Sequence, residues 1–207
     1  MGANIGRSPA ANAIIPLMKG SKEAGSAGAS IREKAQLMSA SEIDRTIMRL
    51  AHEIVERNNG AQQLVLVGVR RRGSPLAERL AQKIADIEKI KPPVGAIDIT
   101  FHRDDLSKEA MEARVEQSYI PFSIEDQTVV LVDDVLYTGR STRAALDALV
   151  DHGRPRRVEL CVLLDRGHRE IPIQATYVGR IVQTSASESV QVYLREVDNE
   201  DRVVLCD

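Results

Sequence analysis

Length, composition and charge exclude several classes of protein for this chain. Its 207 residues are enough for one domain with one buried core, and 43% of them are apolar. The net charge of −2 argues against nucleic-acid binding driven by charge alone. No segment has the roughly 18 consecutive apolar residues of a membrane span, and the first residues show no signal-peptide pattern. We therefore expect a cytoplasmic protein with no membrane partner.

The first part of the chain has the composition of a disordered tail. Residues 20–30 are small and polar, and they cannot bury enough apolar surface to offset the entropy lost on ordering. We predict a tail at residues 1–38 and one folded domain at residues 39–207.

Within the predicted domain, strands alternate with helices. Short apolar runs predict strands, and apolar residues three or four apart predict helices. The predicted strands are residues 64–69, 94–101, 128–132, 158–164 and 177–178, and the predicted helices are residues 41–58, 75–90 and 143–150. Ser41 and Asp44 resemble a cap for the first helix, and residues 190–197 and 202–205 are predicted to form a hairpin. This order predicts an α/β fold with a mostly parallel, doubly wound sheet.

Three of the predicted strands end in conspicuously polar loops. These loops are residues 70–73, 133–141 and 165–169. Ligands of open α/β sheets bind at the carboxyl ends of the strands. We therefore expect the three loops to converge on a single site.

The loop after residues 128–132 combines two chemistries. Asp133 and Asp134 are adjacent carboxylates, and the turning strand end would let both accept hydroxyl protons from a ribose. Gly139, with hydroxyls on either side, precedes a helix whose free N–H groups attract phosphate. No Walker A or dinucleotide-binding pattern is present. The combination indicates a sugar phosphate, while a metal-bound or loop-capping acidic pair is the alternative.

The same stretch resembles the phosphoribosyl-pyrophosphate (PRPP) motif of type I phosphoribosyltransferases. An apolar run, Asp133-Asp134 and then residues 138–142, Thr-Gly-Arg-Ser-Thr, stand in the family's order. Further segments resemble the bifunctional pyrimidine-operon attenuator/uracil phosphoribosyltransferase family, namely residues 97–101, 103–107, 133–140, 147–151, 153–155 and 165–170. The similarity covers roughly residues 40–205, and the first 38 residues have no counterpart in it. It implies a type I phosphoribosyltransferase fold with a flexible hood.

The resemblance also implies roles for individual residues. Asp133 and Asp134 would hold the ribose hydroxyls. The 5-phosphate would contact Val135, Leu136, Tyr137, Thr138, Gly139, Arg140 and Ser141. Arg71 and Arg72 would bind pyrophosphate, although a solvated basic turn is the alternative. Arg103 would close over pyrophosphate from the charged hood at residues 102–118, and Arg166 and Val178 would lie at the base.

The implied reaction joins uracil to ribose. Uracil N1 attacks ribose C1 as pyrophosphate leaves, and Arg71, Arg72 and Arg103 stabilise the departing charge together with Mg²⁺. The catalytic residues would be Asp133, Asp134 and Arg103. Mg²⁺ would be carried by the substrate phosphates, so we expect no metal site made by protein alone.

The resemblance implies a second activity on RNA. Its members bind the leader mRNA of a pyrimidine operon when UMP or UTP occupies the site. The positions available for RNA are Arg49, Arg57, Arg169 and Arg180, although Met48 and Gln174 stand where a cation or hydroxyl would be more persuasive. A homodimer or homotetramer is expected. The alternatives are a nucleotide-sensing RNA-binding regulator with vestigial catalysis, and a phosphoribosyltransferase without an RNA role.

Overall fold

A five-stranded parallel sheet organises the chain in this computed structural model, which describes residues 32–100 and 118–207. The helices are α1 Ala40–Asn58, α2 Gly73–Glu88, α3 Arg140–Val150 and α4 Arg195–Asp198. The strands are β1 Glu33–Ser39, β2 Leu64–Val69, β3 Val94–Ile97, β4 Thr128–Leu136, β5 Arg157–Asp165, β6 Tyr177–Ile181, β7 Ser189–Tyr193 and β8 Arg202–Cys206. The order across the parallel sheet is β3-β2-β4-β5-β6.

Both faces of this sheet are covered, as its continuous apolar strands predict. Successive side chains of a strand point to opposite faces. Leu66 and Val130 accordingly pack in one core cluster with α1 and α2, whereas Val67 and Leu131 pack in a second cluster with α3. All four strand pairs are parallel. The predicted doubly wound α/β fold is confirmed.

A second sheet of three antiparallel strands, in the order β1-β8-β7, corrects two predictions. Residues 33–38 are not a tail, because β1 pairs with β8 along its length. Residues 1–31 lie outside the described part, and a tail there stays a prediction. The C-terminal strands do pair as predicted, but residues 195–197, predicted as strand, lie in the helix α4. The Asp198 carboxylate accepts the Leu194 N–H at 2.9 Å and closes that helical turn.

Helix starts also differ from the predictions. The cap of α1 is Ser39 with Glu42, not Ser41 with Asp44, and Glu42 Oε2 accepts the Ser39 N–H at 2.8 Å. The bonds from the Ser39 N–H and hydroxyl, with the Arg180 charge, lower the pKa of Glu42 to about 2. Helices α2 and α3 begin at Gly73 and Arg140, earlier than predicted, so their N-termini reach the candidate site.

Two predictions made from the composition of the chain can be compared with the structure. Cys161 is buried in the core, and burial raises the pKa of its thiol to about 12, which suits an unreactive packing residue. Among the helices described, none has the length and apolar character needed to cross a membrane.

Candidate active site

The three polar loops meet at the carboxyl edge of the sheet, as expected from parallel neighbours. The Arg166 N–H donates to Leu136 O at 3.1 Å, which ties the end of β5 to the end of β4. The loop after β2 touches β4 even more closely. A Cβ added at Gly73 would lie only 2.3 Å from Val132 O, so only glycine permits this approach of α2 to the acidic strand.

A cavity of about 350 Å³ opens between the end of β4 and the start of α3. It is lined by Val135, Leu136, Tyr137, Thr138, Gly139, Arg140, Ser141, Thr142 and Glu170. Gly139 is the N-cap of α3 and has φ 92°, a left-handed conformation that glycine adopts without strain. The structure thus brings every predicted phosphate residue to the N-terminus of a helix, where free N–H groups and the helix dipole favour an anion.

Residues after β5 hold this loop in place, and sequence reasoning assigned them no such role. Thr138 O accepts the N–H groups of Glu170 at 3.0 Å and of Ile171 at 3.1 Å. The Arg140 Nε donates to Glu170 Oε2 at 2.7 Å. The sequence marks residues 165–170 as polar and as similar to the family's motif. Their backbone hydrogen bonds to Thr138, however, join segments about thirty residues apart, and such bonds produce no pattern in the local sequence.

The acidic pair lies within β4 rather than beyond its end, which corrects the predicted setting. The strand runs on to Leu136, since the β4–β5 ladder continues through Asp133, Val135 and Leu136. Asp133 is 8% exposed. Its Oδ1 accepts the Asp134 N–H at 2.9 Å, and Asp134 Oδ1 in turn accepts the Val135 N–H at 2.8 Å. Neighbouring N–H groups therefore orient both carboxylates.

Burial raises the pKa of Asp134 above its ordinary value. The side-chain hydrogen bond with Asp133, the bond from the Val135 N–H and the positive charge of Arg72 act in the opposite direction but leave the pKa raised. Arg72 therefore lies within electrostatic reach of Asp134. In residues 32–100 and 118–207, no group of three or more His, Cys, Asp or Glu side chains could hold a metal ion.

The basic loop after β2 has a partner that sequence reasoning missed. Arg72 donates from Nη2 to Asp198 Oδ1 at 2.8 Å and from Nε to Asp198 Oδ2 at 3.2 Å. Arg71 contributes a further positive charge that lowers the pKa of Asp198. Asp198 had been predicted as part of a hairpin turn, and its separation of 126 residues from Arg72 leaves no trace in local sequence. Arg103 lies outside the described residues.

Arg166 has a different surrounding from that of an open base pocket. Its side chain donates to Glu188 O at 2.7 Å and to Thr184 Oγ1 at 3.2 Å. The guanidinium also lies 4.0 Å from the centre of the Tyr137 ring. The residue is only 7% exposed, so little of its surface is accessible to a base.

The arginines predicted for RNA all have protein contacts. Arg49 donates to the carbonyls of Val178 and Gly179 at 2.9 and 2.7 Å. Arg169 donates to Asp165 Oδ2 at 2.5 Å and to Tyr137 O at 3.0 Å. Arg180 donates to the Leu37 carbonyl and pairs with Glu42, while Arg57 stacks 5.8 Å from the centre of the Tyr177 ring.

These contacts do not unite the four arginines in one surface. Arg169 belongs to the phosphate-loop region, where it ties residues 165–167 to Tyr137. Arg49, Arg57 and Arg180 instead lie against or on β6 and its neighbours. The RNA role of the four arginines stays a prediction.

The fold and the site define a phosphoribosyltransferase. A family model described as the phosphoribosyl transferase domain matches residues 35–196. A solved hypoxanthine phosphoribosyltransferase from Staphylococcus aureus has a similar fold, with a TM-score of 0.65, 21% identity, and coverage of 84% of this chain and 92% of that chain. A hypoxanthine-guanine phosphoribosyltransferase from Bacillus anthracis has a TM-score of 0.62 at 18% identity, covering 84% and 98%.

Curated relatives narrow this class. The "Bifunctional protein PyrR" of Pelotomaculum thermopropionicum is 58% identical over 174 residues, which are 84% of this chain and 96% of the relative. The protein of the same name from Thermus thermophilus is 56% identical over 175 residues, which are 84% and 97% of the two chains. The chain belongs to the bifunctional PyrR family of type I phosphoribosyltransferases. The resemblance seen in its motifs is confirmed.

Proposed function

We propose that this protein converts uracil and PRPP to UMP and diphosphate, and that it binds the leader mRNA of a pyrimidine operon in response to uridine nucleotides. One observation supports the enzymatic activity. Three groups lie next to one another at one edge of the sheet: the carboxylate pair, the cavity at the N-terminus of α3, and the positive charge of Arg72. These are the three chemistries that ribose hydroxyls, a 5-phosphate and a pyrophosphate leaving group require.

The ribose 5-phosphate is held by the cavity. N–H groups of residues 138–141 and the positive end of α3 face the phosphate oxygens. Asp133 and Asp134 accept hydrogen bonds from the two ribose hydroxyls. Because neighbouring N–H groups already orient both carboxylates, little side-chain freedom is lost when the sugar binds.

The leaving group defines the second half of the mechanism. As the bond from C1 to the pyrophosphate oxygen breaks, the bond from C1 to uracil N1 forms, the N1 proton passes to solvent or to the departing pyrophosphate, and negative charge grows on pyrophosphate. Arg71 and Arg72 stabilise that charge, and Arg103 would do so from the hood. The carboxylates beside the cavity suit a Mg²⁺ that arrives on PRPP, which would neutralise part of the phosphate charge when bound. No protein nucleophile is required.

The base assignment is tested by substrate choice. Purified protein is assayed with PRPP, Mg²⁺ and each of uracil, hypoxanthine, guanine and orotate. We expect turnover of uracil alone. Turnover of a purine without turnover of uracil would refute the pyrimidine assignment. The protein would then resemble the hypoxanthine phosphoribosyltransferases of similar fold in its substrate as well. Arg166 and Val178 stay the predicted base-site positions, with Arg166 acting through its bonds to residues 184–188.

The regulatory half requires a basic surface that a single chain of net charge −2 scarcely provides. We propose that a homodimer or homotetramer brings copies of Arg49, Arg57, Arg169 and Arg180 together, and that these contact RNA phosphates. Arg57 is the first position to mutate in a test of RNA binding, because its side chain contacts an aromatic ring rather than a carboxylate. A protein acting on nascent transcripts works in the cytoplasm of a bacterium, and we propose that location.

RNA binding is tested by gel shift with the leader RNA of the organism, with and without UMP or UTP. Tighter binding in the presence of nucleotide supports a sensor. Unchanged affinity refutes it. RNA binding without uracil turnover identifies a regulator with vestigial catalysis, and turnover without RNA binding identifies a catalytic enzyme alone.

A further inference from the structure

The ion pair between Arg72 and Asp198 joins the loop after β2 to the C-terminal sheet. Both side chains are partly buried, with exposed fractions of 29% and 16%. The two hydrogen bonds, at 2.8 and 3.2 Å, use both carboxylate oxygens. A two-point contact of this kind fixes the orientation of the guanidinium plane as well as its position.

Asp198 is itself held firmly. Its Oδ2 also accepts the Leu194 N–H at 2.9 Å, within the short helix α4. The same segment is anchored to α2 by a second ion pair, in which Arg79 donates to Glu196 Oε1 and Oε2 at 2.8 and 2.6 Å. Arg79 also donates to Asp201 Oδ1 at 2.6 Å. Asp198 is therefore a fixed point against which Arg72 is oriented.

The geometry leaves Arg72 able to bind an anion at the same time. A guanidinium has five N–H bonds in one plane, and Asp198 takes one from Nε and one from Nη2. Neither bond to Asp198 uses Nη1, which can therefore donate to a phosphate oxygen. Gly73, the residue after Arg72, lies directly against Val132 and Asp133 of β4, which places the Arg72 loop beside the acidic pair.

We propose that Asp198 is a positioning residue that holds Arg72 in the orientation needed to bind the pyrophosphate group of PRPP. This inference rests on the proposed phosphoribosyltransferase function. Without Asp198, the Arg72 side chain would sample many rotamers, and binding would have to restrict them again. The loss would therefore fall on pyrophosphate-bearing ligands and not on the base.

The test compares Asp198→Asn with the wild-type protein. Asparagine keeps the volume but replaces one acceptor oxygen with an amide that cannot accept the second bond. We expect the dissociation constant for PRPP with Mg²⁺, measured by calorimetry, to rise about tenfold, which corresponds to about 1.4 kcal/mol. The KM for pyrophosphate in the reverse reaction should rise similarly, while the KM for uracil changes less than about twofold. In an Arg72→Ala background, Asp198→Asn should have little further effect.

Glu33→Gln is the matched control. It weakens an ion pair of the same C-terminal sheet, between Arg202 and Glu33 at 2.7 Å, that involves neither α4 nor the loop after β2, and PRPP affinity should not change. If Asp198→Asn does not fold, Asp198→Glu replaces it, because the added methylene displaces the carboxylate from its two-point contact while Arg72 itself is unchanged.

The possible outcomes separate this inference from the proposed function. Unchanged PRPP affinity in Asp198→Asn overturns the positioning role. Tighter PRPP binding also overturns it, since Asp198 would then compete with the ligand for Arg72. A wild-type protein that binds PRPP but does not convert uracil refutes the proposed reaction and leaves the titration able to test Asp198. A wild-type protein that does not bind PRPP refutes both.

Discussion

Replacement of Gly73 by alanine tests the close approach of the basic loop to the acidic strand. The added Cβ would lie 2.3 Å from Val132 O and 3.3 Å from Asp133 Cα. Ordinary contact begins at 3.4 Å, so α2 and β4 must separate by about 1.1 Å. Both obstacles are backbone atoms of a central strand, which cannot rotate away as a side chain can.

The expected cost follows from that displacement. Overpacking in a well-packed interior costs about 1–3 kcal/mol, and the backbone contact places Gly73→Ala near the upper end. For a domain of this size, about 3 kcal/mol lowers Tm by roughly 6–12 °C. A misplacement of about 1 Å between groups that act together can cost about 100-fold in rate, and we expect kcat/KM for PRPP to fall by up to that factor.

The measurement combines thermal unfolding, followed by circular dichroism, with kinetics at a temperature well below Tm. Gly60→Ala is the control, since Gly60 has φ 112° and lies before β2, at the opposite edge of the sheet. Its added Cβ would meet the flexible end of Gln62. That variant should lose stability and keep wild-type kinetics. Wild-type Tm and wild-type PRPP kinetics in Gly73→Ala would refute the close-approach argument.

Three further predictions concern side chains away from that contact. Tyr177→Phe removes the hydroxyl that donates to buried Glu159 at 2.6 Å. The free energy of unfolding should fall by about 1–3 kcal/mol. A changed KM for uracil would instead show that the hydroxyl contacts the base. Arg169→Ala should lower Tm, raise the KM for PRPP and weaken RNA binding, because Arg169 connects Tyr137 to Asp165. If only RNA binding in the gel shift changes, Arg169 serves RNA alone. The Tm difference between wild type and Glu42→Gln should be present at pH 7 and shrink as pH falls. The folded-state pKa of Glu42, about 2, lies below its ordinary 4.5, so its stabilising effect exists above about pH 4.5 and is lost towards pH 2; a constant difference across that range would contradict this.

Sequence reasoning succeeded where the determining interactions are local. The buried run of β2 was predicted with the bounds that the structure has, because a continuous apolar segment marks a strand covered on both faces. The loop before α3 was also predicted, since Gly139 and the start of the helix are neighbours in the chain, and its phosphate role stays a prediction. The convergence of three loops followed from the rule that parallel strands end at one edge.

Errors arose where a distant segment decides the structure. Glu33–Ser39 has polar, mostly exposed residues, and only its backbone pairing with β8 makes it a strand. β4 extends past Asp133 because β5 continues beside it. Pairings between residues far apart in sequence leave no periodicity to read.

The sequence by itself determined the class of site: an acidic pair, a helix-capped phosphate loop and an arginine loop, each a short contiguous motif with its own chemistry. Only the tertiary structure decided how these parts are held. It paired Arg72 with Asp198, enclosed Arg166, and set Gly73 against Val132. The physical reason is that ligand chemistry resides in side chains and local backbone, whereas orientation depends on contacts between residues that are distant along the chain.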